Sequence, residues 1–239
     1  MLSSMGRPRE HDELTAAALL AAGERAVDEG GLDALSVRGV AAEAATTTRA
    51  VYSLFGSRDG LIVALGAHTY ELLRTALERL PPTADPQADM VEAGLMFRRF
   101  ALEHPALFSI GIQRTHASSE LWPQFRAAAN DALAVLSRRL ARLQDGELLA
   151  GRTVRDATIQ FHALCEGLAA LELREALPAK DAERIWRDAL TALIAGFTIA
   201  PTRLAPAEPR PPTTQKARPV LMASGEPSAT TTKRRPRRA

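Results

Sequence analysis

Apolar residues in this chain recur at intervals of three and four over most of its length, and few β-branched clusters alternate as a strand would require. The pattern predicts an all-α protein. A first helix is expected from an N-cap at Asp12 to about Glu29, with Leu14, Ala17, Ala18, Ala21 and Val27 as its inner stripe and Gly30-Gly31 as its stop. Ser36, a good N-cap, opens a short helix to Ala44 in which Val37, Val40 and Ala41 fall at helical spacing. A turn at Ala45–Thr46 leads into another short helix. One side of it is apolar and small (Ala50, Val51, Leu54), the other polar and reaching (Thr47, Thr48, Arg49, Tyr52). Ser57 and Asp59 then begin a longer helix to about Leu80, with Leu61, Leu65, Leu72 and Leu73 among its apolar positions, ended by Pro81-Pro82.

The second region, about 83–200, repeats the helical pattern. The expected pieces are Asp89–His104, Pro105–Ile112, Glu120–Leu143, Thr153–Leu173 and Asp181–Ile199, with a bend at His104-Pro105 and breaks at Thr115–Ser119, Gly146–Gly151 and Pro178. The last two are apolar over wide arcs: Ile159, Leu164, Leu168 and Leu171 on one, Ile185, Leu190, Leu193, Ile194 and Phe197 on the other. Such arcs are buried either within one bundle or between two subunits.

Composition narrows the class. With 239 residues and 46% hydrophobic content the chain can bury a real core. A single cysteine, Cys165, excludes an internal disulfide, acidic residues at Glu10, Asp12 and Glu13 break any signal-peptide pattern, and no apolar run approaches the ~20 residues that span a bilayer. A cytoplasmic protein is the simplest expectation. The net charge of +2 hides an asymmetry: residues 201–239 hold nine Lys/Arg against two Asp/Glu, and residues 1–60 hold six Arg against nine Asp/Glu. The first 60 residues are therefore formally −3, so a nucleic-acid interface there has to rest on where its arginines stand.

That placement is suggestive. Hydroxyls, a guanidinium and a phenol on one side of a short, packed helix suit a major groove, because they reach both base edges and phosphates. The run Ser36–Leu61, SVRGVAAEAATTTRAVYSLFGSRDGL, resembles the DNA-binding half of the tetracycline-repressor (TetR) family, whose helix-turn-helix ends in Tyr-x-x-Phe before a Ser-Lys-Glu-x-Leu helix start. The matching positions are Tyr52, Phe55, Ser57, Arg58, Asp59 and Leu61, with Ala45 standing where the family often has glycine. If the turn needs φ > 0, alanine there costs about 1 kcal/mol.

The resemblance implies a full architecture: an N-terminal three-helix helix-turn-helix domain (10–70, motif about 36–55), joined by a connecting helix to a C-terminal helical ligand-binding and dimerisation bundle (71–200). These are flanked by a flexible basic arm (1–9) and a disordered, Pro-rich basic tail (201–239). It implies a sequence-specific transcriptional regulator, a repressor released from a palindromic double-stranded operator by a small-molecule effector, acting as a homodimer through its last two long helices. DNA contacts are expected from Arg7, Arg9, Ser36, Arg38, Thr46, Thr47, Thr48, Arg49, Tyr52 and Arg58, with Arg58 on a phosphate and the ring of Tyr52 either on the DNA or packed on the bundle. More faintly, FHALCEGLAALEL resembles the Trp-x-x-x-His-Gly (WHG-type) C-terminal signature, with Glu166 in place of the histidine.

Other chemistry is sparse. Cys165, His162 and Glu166 fall within one helical turn, but no C-x-x-C or H-E-x-x-H pattern accompanies them, so the reading is no enzyme, no catalytic residue, no metal and no cofactor. An effector pocket would draw on Phe97, Phe100, His104, Phe108, Trp122, Phe125, Phe161, His162 and Glu166. The basic tail would either add salt-sensitive DNA affinity or serve as a solubilising tail. Two rivals stay open: a ligand-independent regulator or activator of the same fold, and a helical small-molecule-binding protein or enzyme without DNA binding.

Overall fold

The computed structural model describes residues 7–113 and 122–200; the expectations for residues 1–6, the 115–119 loop and the 201–239 tail lie outside the described residues. Among the described residues the chain is helical and contains no strand. In order the helices are α1 (Arg7–Ala34), α2 (Val37–Glu43), α3 (Thr48–Phe55), α4 (Arg58–Arg79), α5 (Pro86–Glu103), α6 (Pro105–Phe108), a π turn (Ser109–Gln113), α7 (Trp122–Asp145), α8 (Val154–Leu173) and α9 (Ala182–Phe197).

The N-terminal expectations need correction at α1. The helix begins at Arg7, so Asp12 is not its cap, and Arg7 and Arg9 belong to its first turns instead of an arm. Its buried stripe is Leu19, Ala22, Gly23 and Val27. Leu14 is 67% exposed and Ala17 and Ala18 are exposed, so of the expected stripe only Val27 is buried. The two stripes lie on neighbouring helical faces, and with Leu14 on one and Leu19 on the other the run itself does not choose between them. Gly30-Gly31 does interrupt the helix: Gly31 takes φ 70°, ψ −176°, which only glycine adopts without strain, and one further turn follows to Ala34.

Two hydrophobic cores result. The smaller joins α1, α2, α3 and the first half of α4 through Leu19, Val27, Leu35, Val40, Val51, Phe55, Leu61 and Leu65. The larger fills the body through Leu73 and Leu77 of α4 together with α5, α7, α8 and α9, around Phe97, Phe108, Leu140, Phe161, Trp186 and Phe197. Helix α4 is common to both. So is the short α6 segment, whose Ala106 and Leu107, with Ile110 of the π turn, insert into the N-terminal core.

Polar contacts hold the far end of α4. Arg139 of α7 donates to the carbonyls of Leu77 and Leu80, capping the last turn, and Arg142 donates to buried Asp89 and to the Thr83 carbonyl. Asp89 also accepts from the Thr83 N–H at 2.9 Å and hydroxyl at 2.6 Å. Burial alone would raise the Asp89 pKa, but these donors outweigh it and hold the carboxyl below its usual range. Across the bundle Arg98 grips Glu172 with two nitrogens, at 2.9 and 2.7 Å, while the Trp186 indole N–H donates to the same carboxylate at 2.8 Å, tying α5, α8 and α9 together.

Candidate functional site

The N-terminal core fixes how α3 is presented. Ser36 caps α2, its hydroxyl oxygen accepting from the Gly39 N–H at 3.0 Å, and Thr47 caps α3 by accepting from the Ala50 N–H at 3.2 Å. Each hydroxyl, accepting there, retains an O–H that can donate as well. Between the helices the chain makes a Schellman turn: the Thr46 N–H donates to the Ala41 carbonyl at 2.9 Å and the Ala45 N–H to Ala42 at 3.1 Å. This requires a left-handed residue, and Ala45 sits at φ 50°. The turn thus has the glycine-type geometry with an alanine in it.

Helix α3 is anchored by Val51, fully buried, and Phe55, and its opposite side is open. Thr48, Arg49 and Tyr52 are exposed, and Tyr52 is 55% accessible, so its ring points away from the bundle. Ser53, also exposed, extends this face and had no signal in the sequence beyond its position next to Tyr52. Thr46 is half-buried in the turn. On α2, Arg38 is exposed, and neither Arg38 nor Arg49 makes an ion pair among the described residues. Arg25, by contrast, is tied to Glu43.

Arg58 departs from its expected phosphate role. Its guanidinium turns inward, donating from Nε to the Leu35 carbonyl at 2.7 Å and from Nη2 to the Leu32 carbonyl. It closes the end of α1 onto the start of α4. Ser57 caps α4 through the Gly60 N–H at 2.9 Å, and Gly60 lets α3 run into α4 at all: a Cβ there would lie 1.8 Å from the Phe55 carbonyl oxygen.

In the body, three of the nine pocket candidates line one small cavity. Phe97, Phe161 and His162 meet Leu77, Ala93, Met96, Leu136 and Cys165 around a space of about 20 Å³. Phe108 backs it, edge-on to Phe97 at 6.1 Å, and His162 meets Phe97 at 5.9 Å. Burial keeps the His162 pKa low despite the Glu166 carboxylate 3.8 Å away, and burial pushes the Cys165 thiol up. The other candidates lie elsewhere. Phe100 and His104 flank a groove between α4 and α5, whereas Trp122 stacks on Phe125 at 4.8 Å and Phe125 meets Tyr70 at 5.5 Å. Tyr70 was not anticipated; burial, with Glu166 nearby, pushes its hydroxyl up to about 12. Among the described residues no three His, Cys, Asp or Glu side chains gather to hold a metal, and no helix is long and apolar enough to cross a membrane.

A three-helix head that turns a polar, ion-pair-free helix face outward, mounted by one long helix on a helical body, defines a helix-turn-helix DNA-binding regulator. Residues 19–65 match the family described as "Bacterial regulatory proteins, tetR family", and residues 90–193 match "Tetracyclin repressor-like, C-terminal domain". The chain belongs to the TetR family of transcriptional regulators. The C-terminal match includes the run from Phe161 to Leu173. Among curated proteins none matches the sequence at a significant level. Similar solved structures include a putative TetR-family transcriptional regulator from Rhodococcus sp. (TM-score 0.60, 18% identity, covering 76% of this chain and 99% of that one). Another is the TetR family transcriptional regulator PfmR from Thermus thermophilus (0.59, 20%, 74% and 96%). A third is FadR from Bacillus subtilis in complex with stearoyl-CoA (0.62, 15%, 75% and 98%).

Proposed function

We propose that this chain is a cytoplasmic, homodimeric repressor that grips a palindromic operator and is released from it by a small molecule. The observation that carries the DNA-binding part is the face of α3: Thr48, Arg49, Tyr52 and Ser53 open to solvent on a helix pinned from behind by Val51. Arg49 and Tyr52 read bases or phosphates from the groove. Ser36, Arg38, Thr46, Thr47 and Thr48 contact the backbone on either side of it, with Arg7 and Arg9 approaching from the start of α1.

One such head covers few base pairs, so two must be paired. The support for pairing by α8 and α9 is their outer surface. Leu168, Leu190, Ile194 and Phe197 are spent on the body's own core, but Ile159 (55% exposed), Ala163, Gly167 and Leu171 (38%) form an exposed ridge at four-residue spacing along α8. That ridge suits close helix-on-helix packing.

The cavity beside Phe97 and His162 is the place proposed for the effector. At about 20 Å³ it has room for roughly one water, so a ligand must part α5 from α8 to enter. FadR from Bacillus subtilis, whose fold is similar, is in complex with stearoyl-CoA. Parting those helices shifts α4 and α6, and binding that favours the parted form disfavours the operator-bound one. The same tightness favours a second reading, a regulator of this fold that answers to no ligand.

Selection of bound duplexes from a random pool tests the proposal. A palindrome with half-sites about one helical turn or a multiple of it apart is the expected result. Failure to enrich any duplex, with no salt-dependent binding, would remove the DNA-binding reading. An operator complex that no member of a broad metabolite library dissociates would leave the second reading standing.

A further inference from the structure

Glu24 and Asp28 stand four residues apart on one face of α1, just ahead of the Gly30-Gly31 break. They account for part of the acidic excess of the N-terminal segment. The His104 Nδ1–H donates to Glu24 Oε1 at 2.6 Å, and the Ala106 N–H donates to Asp28 Oδ1 at 3.2 Å. The second bond satisfies a backbone donor at the start of α6 that no helical carbonyl can reach.

Around these two bonds the head and body also pack through apolar surface: Ala106, Leu107 and Ile110 against the core of Leu19, Ala22, Val27 and Leu65. Apolar contact resists separation but has no direction, so by itself it lets α1 roll or slide on α6. Hydrogen bonds at two points on one helix face remove that freedom. Since α1 also packs on α2 and α3, rolling it re-aims the recognition helix. On the other side, the residue after Leu107 is Phe108, whose ring touches Phe97 at the cavity wall.

We infer that Glu24 and Asp28 are positioning residues: through His104 and the α6 N-terminus they fix the angle of the reading head on the body, and with it the half-site spacing that the paired heads accept. This assignment rests on the dimeric DNA-binding reading above.

The test uses the full chain, its selected palindrome and duplexes with the spacer shortened or lengthened by one and two base pairs. The wild-type protein should prefer its own spacing by about tenfold or more. The double variant Glu24→Ala/Asp28→Ala, which removes both acceptors, and separately His104→Phe, which removes the Nδ1–H donor and keeps a ring, should bind the preferred spacing within about threefold of wild type yet distinguish the spacings by no more than about threefold. Hydrogen exchange of the α1–α3 amides reports whether the heads remain folded. Folded heads with an unchanged spacing profile would mean the bonds merely stabilise the fold, and would overturn the assignment. If the double variant loses protection, His104→Phe decides, since it leaves the head's own side chains intact: a flattened profile supports the assignment and an unchanged one overturns it. Wild-type protein that binds all spacings equally overturns this assignment alone; wild-type protein that binds no duplex overturns the underlying reading and the assignment with it.

Discussion

Leu107 and Phe108 are consecutive on α6, both fully buried, and they belong to different cores: Leu107 to that of the head, Phe108 to that of the body. The Thr69 hydroxyl on α4 shares its proton between the carbonyls of Leu65, at 3.0 Å, and Leu107, at 3.1 Å, and so holds this junction to the connecting helix. Leu107→Ala should cost about 2–5 kcal/mol and be felt first in the head, as faster amide exchange in α1–α3 and weaker operator binding. Equal loss of protection throughout α5, α7 and α8 would show that the division into two cores is not real.

The left-handed alanine of the turn makes a direct prediction. Ala45→Gly relieves φ 50° at an exposed position and should stabilise the head by about 1 kcal/mol in urea unfolding, with operator affinity unchanged.

Arg49 and Arg58 should separate cleanly. Arg49→Ala is expected to weaken specific binding, to lower the salt slope by about 1 if the guanidinium meets a phosphate, and to leave the melting temperature alone. Arg58→Ala removes the bonds to the Leu32 and Leu35 carbonyls and should destabilise the head by about 1–3 kcal/mol while the salt slope of the remaining folded protein holds. A drop in salt slope without any change in melting would return Arg58 to the phosphates.

Gly167 offers a variant that tests pairing without disturbing the subunit. Nothing lies within 4 Å of where its Cβ would be, so Gly167→Gln fits the subunit and improves helix propensity by up to about 1 kcal/mol. Light scattering should nevertheless show a shift from dimer towards monomer, because the ridge beside Ile159 and Leu171 can no longer approach its copy closely. A dimer of undiminished strength would move the interface elsewhere.

Acid sensitivity should trace in part to Asp89. Its folded pKa lies below that of the unfolded chain, so its stabilisation is complete above the unfolded value and fades as pH falls from there through the folded one. Asp89→Asn should flatten that acid limb in pH-dependent thermal melts, at the cost of lower stability near neutrality.

The order and approximate limits of the helices were legible because caps and stops are local: Ser36, Ser57 and Thr153 each satisfy an N–H within three residues, and Gly30-Gly31 interrupts α1 by its own backbone freedom. The outward side of α3 was legible too, since eight residues with one apolar side have one way to pack. What depended on distant partners was not. The stripe of α1 was misjudged because leucines and alanines fall on both of its faces, Leu14 on one and Leu19 on the other, and the large neighbours that choose, Leu35 and Leu65, come from elsewhere. An arginine at a helix start is equally suited to a phosphate or to a carbonyl, and only the arrival of Leu32 and Leu35 beside Arg58 decides. Likewise aromatic spacing marks Phe97 and Phe161 as inward-facing, but whether they meet around a cavity, and whether Glu24 faces the operator or His104, is set by how four or five helices cross. The sequence determines each helix by contacts a turn apart; tertiary structure alone determines which helix each side chain meets.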